Sequence, residues 1–252
     1  MAAPRTILRT AGGELTVGEI PRVVGTVSST EGPVPARPRD FPCDIIEMRH
    51  DELPQKAGWL ERSRQFEAIG LPVILTIRHS SEGGKWRGAE EARYKILQEA
   101  WEWLAAVDVE FRAAIARPAA TAARAAGKAA IVSYHDFDRT PPPPVLRSII
   151  AEAQQFASIV KITTMIQGDE DIGALKELLR GGWDVPLSVF GMGPRGAETR
   201  VAFAVAGSCL NYGYLDKPMA PGQLSAGEMS RSLAERLPVY REDFERRKRA
   251  AP

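Results

Sequence analysis

The feature of this sequence that most constrains its fold is a regular alternation of short apolar segments with amphipathic ones along nearly the whole chain. The apolar segments are rich in β-branched residues and bounded by Pro, Gly or Ser, as is typical of strands buried on both faces. The candidate strands are residues 23–27, 43–48, 72–77, 107–111, 129–134, 159–163, 186–190 and 208–215. Strand and helix alternating eight times favour a closed parallel (β/α)8 TIM barrel over an open sheet.

Segments with helical periodicity separate these strands. They cover residues 53–69, 90–106, 119–126, 145–156, 169–179, 198–206 and 228–237. The chain has 252 residues, which matches the length of about 250 that this barrel typically needs. We therefore expect a single TIM-barrel domain over residues 1–252.

The two ends of the chain predict additions to the barrel. Residues 6–10 and 14–17 alternate in polarity around Ala11-Gly12-Gly13, which predicts that residues 1–20 form a β-hairpin that closes the base of the barrel. Residues 238–252 form a tail in which basic and acidic side chains alternate. Such mixed-sign runs usually mark an exposed surface, so we expect a solvated helix or a frayed terminus there.

Charge and cysteine content exclude several classes of function. The 33 basic and 32 acidic residues nearly cancel, so no global field favours nucleic acid or an anionic membrane. Cys43 and Cys209 lack the spacing of a metal or redox site and predict buried thiols of a reducing compartment. The sequence shows neither a secretory signal nor eighteen consecutive apolar residues, so we expect a cytoplasmic protein. No carboxylate–histidine cluster has ligand spacing, so we expect no metal.

Polar side chains stand at or near the carboxyl ends of the predicted strands, where barrels of this type collect their active sites. Glu47 and Arg49 lie two residues apart and face the same side of their strand. They either bind a ligand or form an ion pair that fills the mouth of the barrel. The other candidates of this kind are Arg78, Glu82, His135 and Lys161.

Lys161 and His135 have the chemistry of a catalytic pair. Lys161 lies in an otherwise apolar strand, where burial of an unpaired amine favours its neutral, nucleophilic form. A neutral amine can form a Schiff base with a ketone, although a lysine that extends from a strand edge is an alternative. Histidine is a natural proton carrier near neutral pH, and His50 and His79 compete with His135 for that role.

One motif suggests a different function. Residues 191–196 match GxGxxG after a strand and before a helix, with Asp216 about twenty residues further on, as in a dinucleotide-binding fingerprint. The motif lies late in the chain, however, and contains Pro194. A flexible loop at the barrel mouth is the favoured interpretation.

Five segments together resemble type I 3-dehydroquinate dehydratases, enzymes of the shikimate pathway. The matching pieces are residues 44–51, 76–78 with 82–84, 133–137 with 140–141, 160–162, and 220–223. The resemblance extends from about residue 21 to residue 237. It implies a lyase that dehydrates 3-dehydroquinate to 3-dehydroshikimate without metal or organic cofactor, and a homodimer.

The resemblance also implies a role for each matching residue. Lys161 would form the Schiff base, His135 would act as general acid and base, and Glu82 would orient His135. The implied substrate-binding residues are Glu47 and Arg49 at the ring hydroxyls, Arg200 at the carboxylate, and Arg78 and Gln223 around them.

Departures from the family pattern leave two alternatives open. Met219 stands where the family commonly has a serine that hydrogen-bonds the substrate, and a thioether cannot donate such a bond. The glycine-rich loop 191–199 is longer than expected, which loosens the assignment of Arg200. The alternatives are a Schiff-base lyase or aldolase acting on a related hydroxy-keto acid, and a catalytically silent homologue that binds a metabolite.

Overall fold

A computed structural model describes residues 4–30, 37, 41–54, 56–218 and 223–250, and its centre is a nearly closed barrel of eight parallel strands. The strands are β3 (Arg22–Val27), β4 (Ile45–Arg49), β5 (Val73–Thr76), β6 (Ala106–Glu110), β7 (Ala129–Asp136), β8 (Ile159–Met165), β9 (Leu187–Met192) and β10 (Leu210–Tyr214). They pair in chain order from β3 to β9, and β10 pairs with β3. The predicted barrel is confirmed, with each of the eight predicted segments supplying one strand.

Unlike the other neighbouring strands of the barrel, β9 and β10 are not joined by a β-ladder. The hydroxyl of Ser188 donates to the carbonyl oxygen of Leu210 at 2.7 Å, and the Val189 N–H donates to the hydroxyl of Ser208 at 2.9 Å. One backbone bond, from Cys209 N–H to Leu187 O at 3.0 Å, lies beside them. Side-chain hydroxyls thus take the place of ladder hydrogen bonds at this seam.

Helices cover the outside of the barrel. They are α1 (Trp59–Ala68), α2 (Glu90–Trp101), α3 (Ala116–Ala125), α4 (Pro143–Ala153), α5 (Asp169–Leu178), α6 (Gly196–Val205), α7 (Ala226–Arg236) and α8 (Pro238–Ala250). The helix predicted over residues 53–69 begins only at Trp59, because Pro54 disfavours helix before it and Gly58 adopts a left-handed φ of 79°. Among the described residues, no helix is long and apolar enough to cross a membrane.

The hairpin of β1 (Thr6–Thr10) and β2 (Gly13–Val17) closes the base of the barrel, as predicted. Its buried side chains Leu8, Leu15 and Val17 belong to the same apolar cluster as Ile45 and other residues at the amino ends of the barrel strands. The amino-terminal half of the barrel interior therefore contains an apolar core, and the candidate residues predicted from the sequence lie towards the opposite end.

The C-terminal helix α8 differs from the solvated or frayed tail that was expected. Its Asp243 is buried and forms a salt bridge with Arg22 at the start of β3. Arg247 bonds to Asp243 at 2.8 Å and to Asp44 at 2.5 Å. We refer to Arg22, Asp44, Asp243 and Arg247 as the base cluster. The alternation of charges concealed one buried face, which packs this helix against the amino end of the barrel.

Candidate active site

The strand register places His135 above Lys161 inside the barrel. Lys161 on β8 is the register partner of Ser133 on β7, and His135 is the partner of Thr163. Ser133 points into the barrel, since its hydroxyl bonds to Asp108 of β6 at 2.7 Å. His135 follows two residues later on the same face, about 6.6 Å nearer the carboxyl end. The two side chains therefore occupy successive layers of the interior.

Lys161 is buried but not unpaired. Its Nζ lies 2.5 Å from Oδ2 of Asp108, and its side chain is only 3% exposed. The expectation of an amine without a partner is therefore wrong. It failed because the partner lies on β6, two strands away from β8, and cannot be recognised from the sequence around Lys161.

Arg78 holds Asp108 from the other side. Its guanidinium contacts Asp108 at 2.7 Å and Glu110 at 3.3 Å, and donates to the Ser133 hydroxyl at 2.8 Å. Burial alone would raise the pKa of the Asp108 carboxyl, but the charges of Arg78 and Lys161 outweigh burial and hold that pKa well below its usual range. We refer to Lys161, Asp108, Arg78 and Glu110 as the mouth cluster.

Glu82 is hydrogen-bonded to His135. One oxygen of Glu82 lies 2.9 Å from Nδ1 of His135 and also accepts the backbone N–H of His135 at 3.2 Å. Burial, followed by the charges of Arg78 and Lys161, lowers the pKa of the His135 imidazole well below its usual value. Burial raises the pKa of Glu82 to about 7. His135 is thus neutral near pH 7, as a general base must be.

The two competing histidines lie elsewhere. His50 is buried against Trp59, with ring centroids 5.3 Å apart, and burial lowers its pKa to about 4. His79 contacts the hydroxyl of Ser81 at 2.8 Å in an exposed turn. Neither residue lines the cavity that contains Lys161.

Glu47 and Arg49 reach the cavity without pairing with each other. Glu47 accepts hydrogen bonds from the hydroxyls of Thr76 at 2.8 Å and Thr26 at 3.2 Å. Arg49 forms a two-pronged contact with Asp51 at 2.9 and 3.1 Å. The ion pair considered for Glu47 and Arg49 is replaced by these local partners, which fix both side chains at the edge of the cavity.

Arg200 is a buried guanidinium without a carboxylate partner among the described residues. It donates to the carbonyl oxygen of Tyr212 at 3.2 Å, lies 5.3 Å from the centre of the Phe190 ring, and its Nε has no hydrogen-bond acceptor. Burial lowers its pKa to about 10. A buried charge without a partner is costly, so this group is suited to binding an anion that enters the cavity.

The glycine-rich segment before Arg200 is short, contrary to the long, flexible loop expected over residues 191–199. β9 ends at Met192 and α6 begins at Gly196. A side chain at Gly196 would meet the Gly191 carbonyl oxygen at 2.6 Å. Only glycine permits this close approach. Asp216 is occupied locally by the N–H and hydroxyl of Ser28, both at 2.9 Å. The short connection between β9 and α6 places Arg200 at the cavity.

One cavity at the carboxyl end of the barrel unites the candidates. It is lined by Glu47, Arg49, Arg78, Glu82, His135, Lys161, Arg200 and Gln223. Met219, the remaining candidate, lies outside the described residues. Two hydroxyls in the cavity lining, those of Thr163 and Tyr212, are buried without a hydrogen-bond partner in the described structure. Within that part of the chain, no cluster of His, Cys, Asp or Glu could hold a metal ion.

Asp108, Glu110 and Tyr212 were not among the residues predicted from the sequence. A signal for the first two was present, since Ala106-Val107-Asp108-Val109-Glu110 carries two acids at alternate positions of an apolar strand. The same reasoning had selected Glu47 and Arg49. Tyr212 gave no comparable signal, because an aromatic residue in a strand is ordinarily part of the core.

Comparison with known proteins identifies relatives along most of the chain. The model of the family described as type I 3-dehydroquinase matches residues 36–236. The 3-dehydroquinate dehydratase of Methanocella arvoryzae is 32% identical over 213 residues, which cover 84% of this chain and 95% of that protein. The 3-dehydroquinate dehydratase of Methanothrix thermoacetophila is 34% identical over 215 residues, covering 84% and 91%.

Solved structures show the same fold. The type I 3-dehydroquinate dehydratase of Clostridium difficile superimposes with a TM-score of 0.79 over 95% of this chain and 99% of its own, at 22% identity. The 3-dehydroquinate dehydratase of Aquifex aeolicus gives a TM-score of 0.72 over 84% and 97%, at 26% identity.

Proposed function

Because the chain belongs to the type I 3-dehydroquinase family, we propose that it dehydrates 3-dehydroquinate to 3-dehydroshikimate through a Schiff base on Lys161. The observation that carries this proposal is one cavity holding Lys161, His135 and Arg200, which has no carboxylate partner among the described residues. A lysine, a neutral imidazole and a guanidinium suit a substrate that has a ketone, an acidic C–H bond and a carboxylate.

In the first step, Nζ of Lys161 forms a C=N bond with the ketone carbon. The ketone oxygen takes two protons that the ammonium group gives up and leaves as water. The nitrogen keeps one proton and the positive charge, so atoms and charge balance. Asp108, at 2.5 Å, holds Nζ in place and neutralises its charge before and after the step.

In the second step, His135 removes a proton from the carbon beside the iminium group. The electron pair of that C–H bond forms a C=C bond to the former ketone carbon, and the π pair of the C=N bond moves onto the nitrogen, which becomes a neutral enamine. His135 then returns the proton to the β-hydroxyl, which leaves as water while the iminium group re-forms. Hydrolysis of the iminium releases the enone and restores Lys161. Glu82, at 2.9 Å from Nδ1, stabilises the imidazolium that forms in between.

Substrate binding falls to the residues around this pair. Arg200 would hold the carboxylate, since a guanidinium grips a carboxylate in a two-pronged geometry. Glu47 and Arg49 would contact the ring hydroxyls from β4, and Gln223 would lie above them. Arg78 already contacts Asp108 at 2.7 Å, so its larger contribution would be to fix the carboxylate that holds Lys161.

Borohydride trapping tests the proposal. Enzyme treated with borohydride in the presence of 3-dehydroquinate should gain the mass of one reduced adduct, and peptide mapping should place the adduct on Lys161. Turnover is followed separately by the absorbance of the conjugated enone. Absence of an adduct, or an adduct on another lysine, would refute the Schiff-base mechanism. An adduct without enone formation would favour an aldolase acting on a related hydroxy-keto acid.

We also propose that the protein works as a cytoplasmic homodimer. Cys43 and Cys209 are both buried and unbonded, which suits a reducing compartment. The dimer follows from the resemblance to the family alone. Light scattering coupled to size-exclusion chromatography measures the mass in solution, and a monomer at micromolar concentration would contradict it.

A further inference from the structure

The reactive nitrogen of Lys161 has a second contact besides Asp108. Nζ lies 4.5 Å from the centre of the Tyr212 ring. Tyr212 is 5% exposed, and Lys161 is 3% exposed. A cation within about 6 Å of an aromatic face is attracted by the electrons of the ring, and the attraction strengthens when water is excluded. Lys161 is thus held by a carboxylate and by an aromatic face.

These two contacts respond differently to the proposed chemistry. An ammonium group has three N–H donors, whereas the iminium nitrogen keeps only one. Hydrogen bonding to Asp108 therefore has fewer donors to use once the Schiff base forms. Attraction to an aromatic face depends on the positive charge rather than on N–H donors, and the iminium retains that charge. The ring contact accordingly survives the step that weakens hydrogen bonding.

Between the ammonium and the iminium lies the neutral carbinolamine, so a positive charge must develop again on Nζ when water leaves. We propose that the aromatic face of Tyr212 stabilises this developing charge and so speeds formation of the Lys161 iminium group from the carbinolamine. This inference rests on the proposed Schiff-base function. It assigns a catalytic role to a residue on β10 whose ring contacts the reacting nitrogen. The role belongs to the ring and requires no hydrogen bond from the phenol.

The surroundings of the Tyr212 hydroxyl support a role for the ring alone. It is buried and has no hydrogen-bond partner among the described residues. Burial, followed by the charges of Glu47 and Asp108, raises its pKa well above the usual value, so the phenol stays neutral and adds no negative charge near Nζ. Replacement by phenylalanine therefore isolates the ring and provides the reference for an experiment on its electrons.

A fluorination series tests the ring directly. Tyr212→Phe is compared with variants carrying mono-, di- and trifluorophenylalanine at position 212, which keep the shape but withdraw electrons from the face. The measured quantity is the rate at which the borohydride-reducible Lys161 adduct accumulates in a single turnover, followed by intact mass. The rate should fall with each fluorine, and Tyr212→Leu should be about 10- to 30-fold slower than Tyr212→Phe.

Phe156→Leu is the matched control. The Phe156 ring lies 4.4 Å from the Arg117 guanidinium on the outside of the barrel, so this variant loses a similar contact far from Lys161. Its rate of adduct formation should equal that of the unmodified enzyme. Thermal melts of every variant identify rates that reflect unfolding.

The outcomes separate this inference from the proposed function. Equal rates across the fluorination series, with the adduct still on Lys161, would overturn the role of Tyr212 and leave the Schiff-base mechanism intact. A lack of adduct in the unmodified enzyme would overturn both. A progressive decrease, absent from Phe156→Leu, would establish the contribution of the ring.

Discussion

The base cluster and the mouth cluster are built from the same kinds of side chain but leave their surroundings in different states. At the base, Arg22 and Arg247 bond to Asp243, and Arg247 and the Val23 N–H bond to Asp44. At the mouth, Lys161 and Arg78 share Asp108 in a similar way. Immediately beside the mouth cluster, however, Arg200 has no carboxylate partner among the described residues. The base is closed on itself, and the mouth is left open to a ligand.

The pKa values of two buried carboxyls, Asp243 at the base and Glu82 at the mouth, differ in the same way. At the base, the charges of Arg22 and Arg247 outweigh burial and lower the pKa of Asp243 to about 2. At the mouth, burial dominates and raises the pKa of Glu82 to about 7. A carboxyl with a lowered pKa stabilises the fold near neutral pH, whereas one with a raised pKa is destabilising there. Buried ion pairs alone do not identify a site, whereas a carboxyl with a raised pKa that also lines an open cavity points to one.

Replacement of Lys161 should have the largest effect. Lys161→Ala removes the proposed nucleophile, so turnover of 3-dehydroquinate should fall by about 10⁴-fold or more. The enone assay measures it, with Lys176→Ala, an exposed lysine on α5, as the control. Turnover retained by Lys161→Ala would show that the mouth cluster is as purely structural as the base.

Asp243→Ala should lower the stability of the fold and leave turnover unchanged, the opposite of Lys161→Ala. It leaves Arg22 buried without its α8 partner, and the free energy of unfolding should fall by about 3–5 kcal/mol. Because the pKa of Asp243 is lowered, its contribution is present above the unfolded pKa and is lost as the pH falls towards about 2.

Denaturant titration of Asp243→Ala, with exposed Glu242→Ala as the control, measures the loss of stability. The folded fraction should keep the kcat of the parent enzyme. A large loss of kcat in folded Asp243→Ala would mean that the two ends of the barrel are coupled.

Arg200→Gln should weaken substrate binding without weakening the fold. The lost bonds to a carboxylate are worth about 1.5–3 kcal/mol, so KM should rise about 10- to 100-fold while kcat changes less. Stability should stay the same or increase, since a buried charge without a carboxylate partner is removed. Steady-state kinetics and a thermal melt test this together. A drop in stability would indicate that Arg200 supports the structure.

Glu82→Gln should show a modest change in stability, with a characteristic dependence on pH. The folded pKa of Glu82 is raised, so the folded state binds more protons than the unfolded state between its ordinary pKa and about 7. The stability of the parent therefore falls as the pH rises through that window. Glutamine cannot ionise, so the variant should match the parent at pH 5 and exceed it by about 2 kcal/mol at pH 8.

Urea titrations at the two pH values measure the difference between Glu82→Gln and the parent. Titration of Glu67, whose pKa burial also raises to about 7, cancels because both proteins contain it. A stability difference that does not change with pH would show that Glu82 is not destabilised in the folded state.

The sequence predicted the barrel well, because its strands and helices follow from local periodicity. Each apolar segment needs only its own residues to be recognised as a strand, and the hairpin at Gly12 and Gly13 carries its own turn signal. The buried face of α8 was missed because its partners Arg22 and Asp44 lie about two hundred residues earlier in the chain.

The grouping of the candidate residues in one cavity could also be predicted from the sequence, because the parallel strands of a barrel bring their carboxyl ends together. Their partners could not be predicted. Asp108 approaches Lys161 only because β6 and β8 flank β7 in a curved wall, so that side chains two strands apart meet inside. The proximity of Tyr212 depends likewise on closure of the barrel.

Closure of the barrel between β9 and β10 also bears on how Lys161 and Tyr212 are held relative to each other. Lys161 is on β8 and Tyr212 is on β10, so the β9–β10 seam lies between Lys161 and the Tyr212 ring that contacts its Nζ. The hydroxyls of Ser188 and Ser208 form two of the hydrogen bonds that join β9 to β10 there. Alanine at position 188 or 208 would remove one of these bonds and leave Lys161 and Tyr212 unchanged. The alignment of Lys161 with Tyr212 therefore depends on a seam that two small side chains help to close.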